Sequence, residues 1–417
     1  MEQNKKNELY LDTVKLSGYK TIRNSIVQFK PGFNLIIGIN GVGKTNFLTF
    51  LYQVLSFNIK NLKEVSTSLL FKNGKTIEIS SKSSIDEHIL GSQKSERVAL
   101  PEIKSTLKID GAEIEYSNEK KTIHGDGEVI NYLTTNDLFI MPTLIQHGIP
   151  LNGMTFIDKP YTFSVDGKMP DIPIFDDDNT PYFIKSLMGS LFFEFIDLDE
   201  EAEKKDVYST EEKIRSAVDR AFKFTDAIRP ALNKYSPIED FRFNENINIA
   251  IDKEKSKTTV SNIFLEFKIG ESWLPFANLS DGTKRMFYII SEVAIPAIHY
   301  FTKVSIGNTT TPTRRIILIE EPELGVHPHQ LYKIISFLKH ESSKNQIIIS
   351  THSPQVLDIS IPQEDLDRIA IAYEEKGEGT LFRKLDEDEK KKAKKYMEEN
   401  YLSDYWIHSD LEFKYQW

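Results

Sequence analysis

The sequence contains no cysteine among its 417 residues. Disulfide bonds and thiolate metal sites are therefore excluded, and a cysteine-free chain suits a reducing cytosol. The chain also lacks an apolar run long enough to span a membrane, and its polar N-terminus does not lead into the apolar core of a signal peptide. We therefore expect a cytoplasmic protein without a membrane segment.

Basic residues are fewer than acidic residues in this chain. The chain has 52 Lys and Arg residues against 62 Asp and Glu residues, which gives a formal net charge of −10. This balance argues against a nucleic-acid surface that covers the whole chain, although a local basic patch stays compatible with it. Hydrophobic residues make up 40% of the sequence, so the chain can bury a core as one large composite domain or two ordinary ones.

The most informative stretch is an eight-residue loop, Gly38–Thr45, which fits the pattern G-x-x-x-x-G-K-[ST]. A buried strand, Phe33–Ile37, is predicted before it, and apolar residues at helical spacing follow it. The glycines let successive backbone N–H groups turn towards one anion, and the following helix adds its positive end. Lys44 would reach the β- and γ-phosphates of ATP, and the Thr45 hydroxyl would bind Mg²⁺. The residues that we expect to contact nucleotide here are Asn40, Gly41, Val42, Gly43, Lys44, Thr45 and Asn46.

Two further apolar strands are predicted to end in polar clusters. Arg315–Ile319 runs into Glu320 and Glu321, of which the first would hold Mg²⁺ and the second would orient or deprotonate the attacking water. Asn345–Ile349 runs into a cluster that contains His352, which is placed to sense the γ-phosphate. Together with the glycine-rich loop, these strand ends predict one catalytic site with Glu321 and His352 as its catalytic residues.

A second anion site is predicted before the helix Met286–Val293. Ser280 and the backbone of Gly282 offer hydrogen-bond donors at the N-terminus of this helix. One chain does not need two such sites for one nucleotide. We therefore expect this loop to cap a nucleotide that another copy of the chain holds.

The order of these motifs resembles that of the ABC-type ATPase heads of the RecF, SMC and OLD-like AAA group. The resemblance implies that the glycine-rich loop is the Walker A motif, that Leu279–Gly282 is the signature and that the glutamate pair is Walker B. It further implies that Glu323–Pro328 is the D-loop and that His352 is the switch histidine. The implied fold is α/β: a mixed sheet with a P-loop core, an antiparallel β-subdomain and a helical insertion.

The same resemblance implies three more site residues. Gln146 would link Mg²⁺ to the interface between lobes, and Lys20 and Arg23 would contact the nucleotide. The chain departs from the transporters of the wider superfamily, because its signature has Asp281 and Thr283 where they have Gly and Gln, and its Walker B has Glu320 where they have Asp. Both variants point towards the RecF and OLD-like branch. An OLD nuclease would continue into a metal-binding Toprim domain, so we expect any nuclease activity to come from another protein.

The organisation along the chain is predicted as three segments. Residues 1–178 would form the N-terminal half of the head with its β-subdomain, 179–240 a helical insertion, and 241–417 the C-terminal half. Two favoured hairpin turns, Asn73-Gly74 and Asp110-Gly111, indicate the antiparallel sheet, and the polar run at 80–84 is expected to be a loop.

Within the insertion, helices are predicted to start at Thr180 and Ser209. Their apolar surface would either pack on the head as a lid or bind a partner.

These inferences favour a cytosolic ATPase that works as a homodimer or higher even oligomer of heads. It resembles the ATPases of two-gene phage-defence systems of the Septu, PARIS and AbiL types, which implies control of a separately encoded effector, a nuclease or a toxin. The alternative is a RecF-like repair protein that binds DNA and uses ATP as a clamp. A third possibility, a scaffold that binds ATP without turnover, is disfavoured by the intact Glu321.

Overall fold

The computed structural model of the chain describes residues 9–59, 62–84, 102–117, 138, 140–148, 150, 157–166, 169–172, 180–205, 210–252, 257–295, 314–361, 365–375, 377–409 and 411. The contacts between residues divide the chain into two compact units. The P-loop unit comprises residues 1–146, 313–323 and 338–417, and the signature unit comprises residues 147–312 and 324–337. The three-segment domain scheme stays a prediction.

The strands in chain order are β1 (Leu11–Tyr19), β2 (Ile22–Gln28), β3 (Phe33–Ile37), β4 (Ser66–Phe71), β5 (Thr76–Ser84), β6 (Glu102–Ile109), β7 (Ala112–Ser117), β8 (Ile140–Ile145), β9 (Tyr161–Asp166), β10 (Met169–Pro170), β11 (Asp240–Phe243), β12 (Asn248–Asp252), β13 (Lys257–Ile263), β14 (Leu265–Ile269), β15 (Ser272–Pro275), β16 (Arg314–Glu320), β17 (Gln346–Thr351), β18 (Ile369–Glu375) and β19 (Gly379–Arg383). The α-helices are α1 (Lys44–Leu55), α2 (Tyr182–Lys205), α3 (Glu211–Phe222), α4 (Arg229–Tyr235), α5 (Asp281–Ala294), α6 (Pro328–Glu341), α7 (Pro354–Ser360), α8 (Glu387–Tyr396) and α9 (Leu402–His408). Short 3₁₀ helices span Lys223–Ala227, Phe276–Asn278 and Leu366–Arg368.

The P-loop unit is built on one mixed sheet. Among the described residues it has twelve strands in the order β7-β6-β5-β4-β1-β2-β19-β18-β3-β17-β16-β8. The strands from β18 to β8 pair in parallel, and the strands from β7 to β19 pair antiparallel. The predicted mixed sheet with an antiparallel β-subdomain is therefore confirmed. At the β6–β7 turn, both Asp110 (φ +49°) and Gly111 (φ +86°) are left-handed, as a two-residue hairpin turn of this type requires.

The parallel strands are apolar because both of their faces are covered. Every residue of β3 and β17 is buried, which is the pattern of a central parallel strand rather than of a half-exposed one. The buried side of α1, including Phe47 and Leu51, packs in the same core cluster as Leu318 and Ile348 from the sheet. Helix α1 thus packs on the sheet, and the loop 38–43 joins the end of β3 to its first turn.

One local prediction about the P-loop unit is wrong. The run at 80–84 is not a loop, because β5 continues through Ser84 and pairs with β6. The buried Ser81 hydroxyl lies 2.8 Å from the Ser105 hydroxyl of β6. Paired serines can satisfy each other inside a sheet, so a polar run can extend a strand where its cross-strand partner is also polar.

The signature unit contains two small antiparallel sheets, ordered β10-β9-β13-β12 and β11-β14-β15. Its core is rich in phenylalanine. The ring of Phe287 in α5 lies 5.3 Å from that of Phe183 in α2 and 4.8 Å from that of Phe267 in β14. Phe183, Leu187 and Leu191 are fully buried, so the apolar face of α2 packs within this unit.

The two helices of the insertion start close to the predicted positions. Helix α2 begins at Tyr182, and the carbonyl of Pro181 accepts its first helical hydrogen bond from the Lys185 N–H at 3.0 Å. The N-cap of α3 is Thr210, whose hydroxyl accepts from the N–H of Lys213, and not Ser209 as predicted. Ser209 itself lies outside the described residues. The next residue offers an equivalent hydroxyl, which explains the shift by one position.

A buried glutamate caps the N-terminus of α2 from a distant part of the chain. Glu292 in α5 is 3% exposed, and its two carboxylate oxygens accept from the N–H of Tyr182 at 2.9 Å and of Phe183 at 2.8 Å. A negative charge at this helix end also complements the helix dipole. Glu292 is 110 and 109 residues away from Tyr182 and Phe183, so no local sequence pattern could predict this cap.

Among the described residues, no helix combines the length and the apolar character needed to cross a bilayer.

We predict that Glu292→Gln destabilises the protein by about 1–3 kcal/mol, because the amide NH₂ would face a backbone N–H that has lost its acceptor. Urea unfolding followed by tryptophan fluorescence measures the change. Glu271→Gln, at an exposed turn position, is the matched control and should unfold like the wild type. An unchanged urea midpoint for Glu292→Gln would show that this cap adds nothing to stability.

Candidate functional site

The register of the parallel strands brings the predicted site residues of the P-loop unit to one edge of the sheet. Ile319 of β16 is opposite Ile145 of β8, Glu320 is opposite Ser350 of β17, and Thr351 is opposite Ile37 of β3. Parallel strands end at the same edge, which is where α/β proteins bind ligands. The residues that follow these strands are therefore neighbours, namely Gln146, Glu321, His352 and the loop that starts at Gly38.

The glycine-rich loop requires glycine at the point where it enters α1. Gly43 has φ +101°, and a Cβ atom there would lie 2.6 Å from the Thr380 hydroxyl and 3.1 Å from the Thr21 hydroxyl. Gly41 also has a positive φ of +81°, but a Cβ atom there would meet open space. The backbone thus approaches β19 closely at Gly43 and stands clear at Gly41.

Lys44 lies over the loop rather than extending into solvent. Its Nζ donates to the carbonyl oxygens of Gly38 at 2.6 Å and Ile39 at 2.9 Å, and the residue is 5% exposed. Of its neighbours, Asn40 is exposed, whereas Val42 is buried in the core. Contact of Val42 with a ligand is therefore restricted to its backbone.

Thr45 and Glu320 form the best candidate for a cation site. The Thr45 hydroxyl donates to Oε1 of Glu320, whose side chain is buried at the end of β16. A hydroxyl and a carboxylate are oxygen ligands of the type that Mg²⁺ prefers, and Mg²⁺ in nucleotide sites uses one or two protein oxygens plus water and phosphate. The donor set fits that metal.

Glu321 adopts an uncommon backbone conformation that directs it towards His352. Its φ is +44°, and its N–H donates to the carbonyl of Ser350 at 2.8 Å. Its Oε1 lies 3.1 Å from Nδ1 of His352. Left-handed conformations of residues other than glycine are uncommon and concentrate at functional sites. The predicted catalytic pair is therefore in direct contact.

A third carboxylate, Glu323, joins this pair and was not predicted as a site residue. Its Oε1 accepts from the Thr351 hydroxyl at 2.5 Å and from the His352 N–H at 3.3 Å. Burial raises the pKa of the Glu323 carboxyl above its ordinary value, and the Thr351 hydrogen bond opposes part of that rise. The sequence offered one signal for this role: Glu323 follows Glu321 by two positions and begins the stretch assigned as the D-loop.

The three residues implied by the resemblance differ in their placement. Lys20 donates from Nζ to the Asn46 side chain at 3.1 Å and so lies beside the first turn of α1. Arg23 instead donates to the carbonyl of Gly377 at 2.7 Å, between β18 and β19. Gln146 is exposed directly after β8, next to the end of β16.

Ser280 and Gly282 belong to the signature unit, at the start of α5. The Ser280 hydroxyl is the N-cap of this helix and accepts from the N–H of Thr283 at 3.3 Å. A Cβ atom at Gly282 would lie 2.4 Å from the side-chain oxygen of Gln330 in α6. The start of this helix is thus closely approached, but by a flexible side chain that can move.

Comparison with known proteins gives a match to one family and a relative that is similar over most of the chain. Residues 173–358 match the family described as "AAA domain, putative AbiEii toxin, Type IV TA system". The Septu protein PtuA of Bacillus thuringiensis is 24% identical over 367 residues, which cover 84% of this chain and 73% of that protein. Structural maintenance of chromosomes protein 3 of Saccharomyces cerevisiae is 40% identical over 68 residues, 16% of this chain and 6% of that one.

Solved structures with some similarity are heads of the SMC type. The SMC head bound to the C-terminal winged-helix domain of ScpA has a TM-score of 0.48 at 15% identity and covers 92% of this chain and 99% of its own. The SMC head domain of Thermotoga maritima has a TM-score of 0.43 at 12% identity, with 91% and 100% covered. The mixed sheet and the motifs at its edge agree with these similarities to an AAA domain and to the Septu protein PtuA.

Proposed function

We propose that the protein binds ATP with Mg²⁺ and hydrolyses it to ADP and phosphate. The observation that carries this proposal is the meeting, at one sheet edge, of the loop Gly38–Thr45 with Glu320 and with the Glu321–His352 pair. Phosphoryl transfer to water needs a phosphate cradle, a cation site and a group that orients the water. The strand ends of the P-loop unit supply candidates for all three.

The phosphate cradle is formed by the loop backbone and Lys44. The Lys44 ammonium has the carbonyls of Gly38 and Ile39 as partners, and phosphate oxygens would take over part of this coordination. Asn46 and Lys20, which are hydrogen-bonded to each other beside α1, would border the nucleotide. We propose that Arg23 contributes less to nucleotide binding, because its guanidinium already donates to the carbonyl of Gly377.

The metal would be held by Thr45 and Glu320, with Gln146 reaching in from the neighbouring strand end. When bound, Mg²⁺ neutralises charge on the β- and γ-phosphates. Glu321 would accept a proton from, or orient, the attacking water. Because Nδ1 of His352 contacts Glu321, its Nε2 is the ring nitrogen that can reach the γ-phosphate.

We further propose that the complete site is shared between two copies of the chain. Ser280 caps α5, and the N–H groups of Asp281 and Gly282 at the start of this helix can bind an anion. Lys44 and its loop already provide a full phosphate cradle, so the second anion site suits the nucleotide of a partner copy. A homodimer or a higher even oligomer follows, in keeping with the isologous interfaces of most homo-oligomers.

The relation to PtuA supports a role as the regulatory ATPase of a phage-defence system. In this proposal the ATP state of the heads controls a separately encoded effector, a nuclease or a toxin. Affinity purification of the protein together with the products of neighbouring genes tests it. Recovery of the ATPase alone, in the presence and absence of ATP, would contradict the effector role.

Lys44 and Glu321 should separate binding from hydrolysis. We expect Lys44→Ala to weaken ATP binding roughly 10- to 100-fold, because charge-assisted hydrogen bonds to phosphate are lost. Glu321→Gln should keep ATP affinity and lose roughly 10²- to 10⁴-fold in kcat, because the attacking water is no longer activated. Calorimetric titration and phosphate release measure the two effects, with the exposed Glu399→Gln as a charge-matched control. Wild-type turnover by Glu321→Gln would remove Glu321 from the catalytic role.

The two loop glycines provide a test of the cradle. We expect Gly43→Ala to weaken ATP binding at least about tenfold more than Gly41→Ala, because only the former forces its Cβ against Thr380. Both substitutions carry the left-handed backbone cost, so Gly41→Ala controls for it. Equal affinities of the two variants for ATP would contradict the observed packing of the loop.

Mixing two inactive variants tests the shared site. Lys44→Ala and Ser280→Arg chains should each be inactive alone, and an equal mixture should regain roughly a quarter of wild-type ATPase, since half of randomly formed dimers carry one intact site of two. A mixture of Lys44→Ala with the Lys44→Ala, Ser280→Arg double variant is the control and should stay inactive. Heterodimers proven by mass spectrometry but without activity would refute the two-chain site.

A further inference from the structure

Glu323 is buried against the turn that carries His352. Only 9% of its side chain is exposed. Its Oε1 accepts from the Thr351 hydroxyl and from the backbone N–H of His352. Its Oε2 is buried and has no hydrogen-bond partner among the described residues. A buried carboxylate oxygen without a partner costs free energy and calls for an explanation in terms of structure or function.

Glu323 contacts two residues of this turn directly and is connected to the third through Thr351. The Thr351 hydroxyl donates to Glu323 and at the same time accepts from the N–H of Ser353 at 2.9 Å. The N–H of His352, between them, donates directly to Glu323. One carboxylate therefore holds three consecutive residues, 351 to 353, in a fixed conformation.

The imidazole of His352 lies between two carboxylates. Its Nδ1 is 3.1 Å from Oε1 of Glu321 and 3.6 Å from Oε1 of Glu323. A carboxylate on this side favours a proton on Nδ1 and fixes the orientation of the ring. The shorter distance marks Glu321 as the hydrogen-bond partner, while Glu323 sets the backbone position from which the ring extends.

We infer that Glu323 is a positioning residue for His352, which holds the turn at 351–353 so that the imidazole contacts Glu321 through Nδ1 and presents Nε2 towards the γ-phosphate. This inference rests on the proposed ATP hydrolysis. Glu323 itself touches neither nucleotide nor water in this mechanism. A displacement of the ring by about 1 Å would lower the rate roughly 100-fold without removing any catalytic group.

The first test compares steady-state ATP hydrolysis of four variants. Glu323→Ala removes the acceptor of both donors, and we expect kcat to fall roughly 10- to 100-fold with KM for ATP changed less than about threefold. Glu323→Gln keeps an acceptor oxygen for Thr351 and His352 and should restore kcat to within about fivefold of the wild type. Thr351→Val removes only the hydroxyl and should resemble Glu323→Ala. The exposed Glu399→Gln is the charge control.

A merely structural role predicts a different pattern. In that case Glu323→Ala would lower the urea midpoint while kcat of the folded fraction stays at the wild-type value, which would overturn the inference. The double variant Glu323→Ala, Thr351→Val should be no slower than the slower single variant, because both substitutions release the same turn. Additive losses in kcat would also overturn it.

The inference can fail independently of the proposed function. If the wild type hydrolyses ATP and Glu323→Ala does so equally fast, the positioning role is wrong and the ATPase stands. If the wild type does not hydrolyse ATP, the proposed function fails, and ¹⁵N NMR of the histidine rings then decides the positioning role. We expect the Nδ1 resonance of His352, identified by its loss in His352→Gln, to shift in Glu323→Ala and to stay in place in Glu399→Gln. An unshifted resonance in Glu323→Ala would overturn the inference.

Discussion

The pairing register of the parallel strands is the constraint on which the candidate site depends. Glu320, Thr351 and the start of the loop after Ile37 lie at one edge because β16, β17 and β3 are hydrogen-bonded in this register. A slip of one residue between any two of these strands would turn the side chains to the opposite face. Such a slip in β3 or β17 would also separate the buried Asn34 and Gln346 side chains from their backbone hydrogen-bond partners, which opposes it. The strand register that packs the core is therefore also the register that brings the site residues together.

Buried carboxylates give each unit a connection that apolar packing alone does not provide. Glu292 of the signature unit binds two N–H groups at the start of α2, and Glu323 of the P-loop unit holds the turn after β17. Burying a carboxylate costs several kcal/mol unless hydrogen bonds offset the lost hydration. Both side chains recover part of this cost from backbone donors. Glu292 thereby orients helix α2, and Glu323 orients the turn 351–353 that carries His352.

Local patterns predicted the parts of the fold that depend on neighbours in sequence. The hairpin at Asp110-Gly111 formed as predicted, because two left-handed residues suffice to turn the chain. The run at 80–84 was predicted wrongly, since its strand depends on Ser105, a partner more than twenty residues away. Thr210 replaced Ser209 as the N-cap because adjacent hydroxyls are equivalent in a sequence pattern.

The sequence by itself determined which chemical groups are available: a glycine-rich loop with Lys44 and Thr45, two strand-end glutamates and a histidine, each readable because its pattern spans only a few residues. The tertiary structure decided how these groups meet. It brought Glu321 into contact with His352 and Arg23 into contact with the Gly377 carbonyl. It also brought Glu323 into contact with Thr351, in the turn that carries His352. These contacts join residues that are 28 to 354 positions apart, and no sequence periodicity encodes such pairs. Only the sheet register and the burial of each side chain determine them, because both arise from packing of the whole unit.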